Sequence, residues 1–343
     1  MKIYRLSGAL RARRYATARP LVARVSFCAL VAAALLSVTR VARAEPSELP
    51  PEIGYNYDEI ETARTAGTAG AVRAFGNSLS ALFTNPANMA AARVYHIGAF
   101  AQIWPESARQ SYGAGAVDSV VSSSKVAGGV GATWNFQDTD GGVDREWTDI
   151  RFALAYPVSD KFQMGVGGRY MWLKENGVGP LGWSLASSGL RDQNIVAGFS
   201  LDAGATLRPS ENFAFALVGN NITNPDHGFQ PTSAGGAFGV AFGDFSGEVD
   251  VMVDFTTWDR TTVRPMVGLE ALFVDHVAAR LGYRFDAGAK SHSLAFGAGY
   301  IDRTFDVDVG VRRILVGDIA TAVVVGFTYH LDSTGLTPSP NEF

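Results

Sequence analysis

Cysteine is almost missing from this chain: Cys28 is the only one in 343 residues. Beyond it no disulfide staple and no cysteine-based metal site can be built. Long apolar runs are missing too. No stretch reaches the 18 or more apolar residues that would mark a membrane-spanning helix, so a helical membrane protein is not expected. Basic residues are scarce past the first 44 positions. Nine of the 29 Lys and Arg precede Glu45 and no Asp or Glu does, which leaves 20 basic against 33 acidic residues, a formal charge of −13. That balance argues against a nucleic-acid partner. Catalytic signatures are also lacking. There is no Gly-x-Ser-x-Gly and no phosphate-binding glycine loop. The histidines His96, His227, His276, His292 and His330 are scattered without ligand spacing. No enzyme, cofactor or metal is expected.

The basic N-terminus has a positive purpose. Lys2, Arg5, Arg11, Arg13, Arg14, Arg19 and Arg24 precede the apolar stretch Val25 to Val38, and Ala42-Arg43-Ala44 follows. This is the layout of an export signal cleaved before Glu45. Residues 1–44 are therefore expected to be a signal peptide.

Most of the remaining chain alternates. In TFDVDVGVRR, Thr304 to Arg313, Phe305, Val307, Val309 and Val311 fall on one face and Asp306, Asp308, Gly310 and Arg312 on the other. The stretches Gly247 to Thr256 and Val277 to Phe285 behave in the same way. Period-2 alternation means strands with two unlike faces. The polar face distinguishes a soluble sandwich from a barrel. It mixes glycine and alanine with opposed charges: Asp149, Arg151, Arg169, Asp202, Asp250, Asp254, Arg280, Arg284, Asp306 and Arg312. Small residues and paired charges suit a crowded, wet lumen, while the apolar face meets lipid. Trp104, Tyr156, Tyr170, Trp172, Trp258, Tyr300 and Tyr329 lie near strand ends, where they can form interfacial girdles.

Fourteen strand candidates run from 95–104 and 112–122 through 125–135, 147–157, 162–174 and 195–207 to 304–314 and 320–331. Their connections alternate. Those around Ser123-Ser124, Pro157-Lys161, Arg208-Glu211, Asp244-Ser246, Asp275-His276 and Asp302-Arg303 are short, whereas 136–146, 175–194 and 223–234 are long. A transmembrane barrel with tight periplasmic turns requires this alternation. The expected fold class is all-β: a single transmembrane antiparallel β-barrel of about 14 strands over 95–331, with 332–343 as a periplasmic tail. The 50 residues 45–94 are too few for a domain of their own and too rich in small apolar residues for a disordered tail. They are expected to form an N-terminal hatch that fills the lumen.

One run in that segment is distinctive: GNSLSALFTNPANMA, Gly76 to Ala90. A short motif of this kind ahead of about fourteen strands resembles the FadL superfamily of outer-membrane proteins. Ala81, Asn85, Pro86 and Ala87 match the family's Ala-x-x-x-Asn-Pro-Ala core, with Asn88-Met89 where many members have Gly-Leu. The resemblance implies a hatch at these residues and uptake of small hydrophobic molecules, fatty acids or hydrocarbons, across the outer membrane of a Gram-negative bacterium. It also implies a kink in the third strand through which solute leaves sideways into lipid. Gly128, Gly129 and Gly131 are the candidates for that break, their bland role being to ease packing against the hatch. Phe213 to Pro225, FAFALVGNNITNP, resembles the PorV-like branch. This leaves a second expectation: a non-transporting barrel that binds or shuttles periplasmic or secreted proteins. The longest external loop carries Val178, Leu181, Trp183, Leu185 and Leu190, which form either a reduced capture surface or a cover for the mouth. The expected partners are thus the lipid bilayer and a hydrophobic small molecule, with a protein partner as the alternative.

Overall fold

The computed structural model describes residues 62–91, 95–119, 125–138, 144–176, 194–223, 231–258 and 260–331. The expected signal peptide, the loop residues Val178 to Leu190 and the tail 332–343 lie outside the described residues.

Fourteen strands form the wall. The first seven are β1 Tyr95–Trp104, β2 Arg109–Asp118, β3 Ala127–Gln137, β4 Asp144–Ser159, β5 Phe162–Asn176, β6 Asn194–Ser210 and β7 Phe213–Asn220. The second seven are β8 Ser233–Phe242, β9 Phe245–Asp254, β10 Thr262–Phe273, β11 Val277–Asp286, β12 Ser291–Ile301, β13 Phe305–Val316 and β14 Thr321–His330. Each pairs antiparallel with its sequence neighbours, and β1 closes on β14 from His96↔His330 to Ile103↔Val323. Closure leaves no strand edge, which is how a sheet satisfies its backbone in lipid.

The two faces differ as the alternation demands. Leu217, Val166, Leu154, Phe296 and Phe152 are exposed on the outside. Asp149, Arg151, Arg169, Asp250 and Arg312 are buried within the ring. The outer surface is that of a barrel set in a membrane.

Two expectations need correction. The first concerns β2, which starts at Arg109 rather than 112. Pro105–Ser107 makes one 3-10 turn and Ala108 takes a left-handed conformation, φ 48°, so the β1–β2 link closes in four residues. The expected short turn at Ser123-Ser124 lies outside the described residues. Glu106 anchors the tight link. Its carboxylate accepts from the Thr321 N–H and hydroxyl, each at 2.8 Å, and from Arg313 Nη1 at 3.3 Å. The Thr321 hydroxyl does most to hold the Glu106 carboxyl below its ordinary range. A group depressed in the folded state contributes its stability above the ordinary carboxylate value, about 4.3, and loses it as pH falls below that value. Acidification through this range will therefore reduce the exchange protection of the Thr321 amide. Glu106→Gln will remove the pH dependence, and identical profiles for the two proteins would refute the anchor.

The second correction concerns the wall kink. Gly128, Gly129 and Gly131 pair without interruption to Asp118, Val117 and Gly115 of β2 and to Leu154, Ala153 and Arg151 of β4. No break in the wall exists there, and the lateral exit expected at these residues is withdrawn. Their physical role is close approach. A Cβ on Gly129 would stand 2.8 Å from Met89 Sδ, and one on Gly131 would stand 2.8 Å from Phe83 Cζ. Gly128 points outward, where Leu154 Cδ2 at 3.6 Å is an ordinary contact.

Candidate functional site

Residues 62–91 lie among the inward-facing side chains. The segment holds two short helices, α1 Ala63–Gly67 and α2 Ser78–Thr84, and a 3-10 turn Pro86–Ala90. Helices of five and seven residues are unstable alone, so tertiary contacts must hold them. Thr62 caps α1 by accepting from Thr65 N–H at 3.3 Å, and a 2.8 Å bond between the Thr62 and Ser80 hydroxyls ties α1 to α2. The helix α1 packs on β11 to β14, while α2 and the turn pack on β1 to β6. Small residues permit this. A Cβ on Gly165 would stand 2.5 Å from the Ala87 N–H nitrogen, and one on Gly310 would stand 2.8 Å from Gly67 N.

Asn85 joins the two halves of the motif. Pro86 forces its backbone to be extended, φ −150° and ψ 97°, which ends α2 and starts the turn. Its Oδ1 accepts from Ala87 N–H at 3.2 Å; its Nδ2 donates to Arg73 O at 2.7 Å and to Thr206 Oγ1 of β6 at 2.9 Å. Asn88 repeats the pattern, donating to Arg73 O at 2.8 Å and accepting from Thr206 at 2.9 Å. Ala81, Asn85 and Ala87 are fully buried. Thr206 escaped the sequence reading, because nothing in β6 marks one threonine as opposite the motif.

The ten charged residues do not meet in one place. Asp149 pairs with Arg169 at 2.6 Å and with Arg151 at 3.4 Å. Arg151 also donates to the Phe83 carbonyl at 2.9 Å, and Asp202 accepts from Asn221 N–H at 2.7 Å. Asp250 accepts from the Arg73 N–H at 3.2 Å and from its guanidinium at 3.1 Å. Asp254 caps its own loop through Thr256 and Thr257 N–H. Arg284 is buried on β11. Arg280 bridges Glu270 at 2.6 Å and Asp308 at 2.5 Å, and Arg64 of α1 reaches Glu270 at 2.9 Å. Arg312 lies over the Trp104 ring at 5.1 Å; Arg109 lies over Trp104 at 5.8 Å and over Trp147 at 4.9 Å.

Glu248 was the most legible of the missed residues, since it shares the face of Asp250 in the alternation of β9. Its carboxylate accepts from Ala74 N–H at 2.5 Å and Phe75 N–H at 3.0 Å. With Asp250 it holds three successive backbone donors, residues 73 to 75, against β9. His330 faces inward, as strand parity requires, and pairs with Asp306 at 2.8 Å. Barrel closure stacks it on His96, with ring centroids 4.2 Å apart. Among the described residues no group of three or more His, Cys, Asp or Glu is arranged to hold a metal ion.

A chamber of about 260 Å³ lies between the segment and the wall at the end of the ring where β1 begins and β14 ends. His96, His330, Asp306, Asp308, Glu270 and Arg64 border it, with Leu79 and Phe100 as its apolar lining.

No protein-family model and no curated protein matches the sequence. Solved structures do match. The toluene transporter TbuX of Ralstonia pickettii superposes with a TM-score of 0.62 at 12% identity over 81% of this chain and 100% of its own. The monoaromatic hydrocarbon channel CymD gives 0.61 at 13% identity over 81% and 99%. A Pseudomonas aeruginosa FadL homologue gives 0.57 at 13% identity over 78% and 98%. The chain has the fold of these FadL-type barrels, the fold that its Asn85-Pro86-Ala87 motif implied.

Proposed function

We propose that this chain is an outer-membrane channel for uptake of small hydrophobic molecules, with residues 62–91 as the hatch of its lumen. The observation that carries the reading is the seated segment, bonded to β6, β9 and β10 and packed on β11 to β14. An open porin passes hydrophilic solutes through water, and a seated hatch opposes that. The fold shared with a toluene transporter and a monoaromatic hydrocarbon channel supports the same reading. The scaffold alternative drew on Phe213–Pro225. The part of that stretch in β7 is ordinary wall, with Phe213, Phe215 and Leu217 exposed on its lipid face, so no observation favours it.

The test uses purified protein in vesicles whose outer leaflet carries lipopolysaccharide, the barrier that slows apolar solutes. Labelled toluene and a labelled fatty acid are supplied outside. Entry of at least one faster than in protein-free vesicles is expected, and no acceleration of either would overturn the proposal.

The hatch makes its own prediction. Asn85→Ala removes the Nδ2 bonds to Arg73 O and Thr206, and the Oδ1 bond from Ala87 N–H. Leaving buried partners unmatched costs on the order of 1–3 kcal/mol, too little to unfold a barrel. The variant will assemble normally and show raised leak conductance in planar bilayers. Wild-type conductance would mean that Asn85 does not secure the hatch.

A further inference from the structure

The intact ladder through Gly128–Gly131 leaves the short-turn mouth as the place to seek an outlet, and the chamber lies there. A cavity needs only ~10–15 Å³ to hold one water. At about 260 Å³ the chamber has room for a solute of monoaromatic size.

Its electrostatics are one-sided. Glu270, Asp306 and Asp308 are each 20–22% exposed, while Arg280, which pairs with two of them, is 2% exposed. Arg64, 18% exposed, is spent on Glu270 and on Asn77 at 3.0 Å. Asp306 pairs with His330 at 2.8 Å. Among the described residues, three carboxylates line the chamber against two guanidiniums, one of them, Arg280, nearly buried. Phe100 adds an aromatic face, which favours cations and neutral rings over anions.

We infer that this chamber is the outlet of the lumen and a charge filter, passing neutral and cationic small organic molecules and turning back anions. This rests on the uptake reading and narrows its substrate class away from carboxylates. The outlet accepts solute from the lumen, holds it against Phe100 and Leu79, and releases it past Asp306 and His330.

The test uses two probes of similar size and fixed charge that do not cross lipid unaided, labelled benzyltrimethylammonium and labelled benzenesulfonate, in the vesicles described above. The ammonium ion is expected to enter about tenfold faster, a ratio equivalent to about 1.4 kcal/mol. Asp306→Asn removes one carboxylate. Thr328→Lys adds a cation to the chamber lining without breaking an ion pair, and serves if the first variant assembles poorly. Each is expected to lower the ratio severalfold. Equal rates, faster entry of the sulfonate, no entry of either probe, or an unchanged ratio in the assembled variants would each overturn the filter. Toluene in the same vesicles separates the two ideas. If toluene entry is accelerated and the ions are not discriminated, only the filter falls; if toluene and fatty acid both fail, the uptake reading falls.

Discussion

Gly310→Val combined with Gly282→Val will expel the hatch from an otherwise assembled barrel and open a porin-like conductance. Both glycines face inward under α1. A Cβ on Gly310 would collide with the Ala63 carbonyl and stand 3.0 Å from Ala66 Cβ; one on Gly282 would collide with the Thr68 carbonyl and stand 2.6 Å from Ala69 N. The opposing atoms are mostly backbone, so no rotamer change relieves the overlap. Overpacking a close-packed site typically costs ~1–3 kcal/mol, and two such sites act on one short helix. The five residues of α1 have little intrinsic stability with which to resist. Valine itself suits a strand, so the ring should assemble. Gly128→Val is the control, because a Cβ there would meet only the Leu154 side chain on the outer face, with Cδ2 at 3.6 Å. The measurements are bilayer conductance and protease cleavage within residues 62–91 of membrane-inserted protein. A double variant that stays closed and resistant would show that α1 does not occupy the space between β11 and β13.

How far the sequence could be read depends on what each signal encodes. Alternation in β9, β11 and β13 was legible because lipid on one side and a charged lumen on the other enforce unlike faces. The same parity placed nine of the ten charged residues in the buried interior of the ring and the tenth, Asp306, on the chamber lining. Parity says nothing of which charges meet. Arg280 and Glu270 are brought together by the β10–β11 register, and His96 and His330, 234 positions apart in the chain, only by closure of β1 on β14. Glycine in a strand is ambiguous for a physical reason. The absence of a Cβ serves a bulge or a close approach equally well, and at Gly129 and Gly131 only the position of Met89, Leu82 and Phe83 decides for close approach. The helices α1 and α2 were illegible because they are shorter than the window in which a 3.6-residue period can be seen.

The hatch is also expected to depend on charge, and the second large effect lies on β9. Asp250→Ala will loosen the hatch more than Asn85→Ala, and replacing Arg73 at the same time will restore part of the loss. Asp250 is fully buried and Arg73 is 3% exposed. Removing one member of a buried pair is strongly destabilising, by ~3–5 kcal/mol, whereas removing both is far milder. Asp250→Ala also strips the acceptor from the Arg73 N–H, while Glu248 continues to hold Ala74 and Phe75 N–H. Glu248→Ala alone should fall between the two, since it orphans two backbone donors at ~1–3 kcal/mol each while the Arg73–Asp250 contact stays in place. The expected order of leak conductance is Asp250→Ala, then Glu248→Ala, then Asn85→Ala, with the Arg73→Met/Asp250→Ala double variant below Asp250→Ala. A double-mutant cycle gives the coupling directly, and residues in one buried network should show ~0.5–3 kcal/mol. The free energy in this cycle comes from the denaturant dependence of protease cleavage in residues 62–91 of the inserted barrel. Strict additivity of the two single substitutions would mean that the Arg73–Asp250 contact at 3.1 Å is incidental and that shape alone seats the hatch.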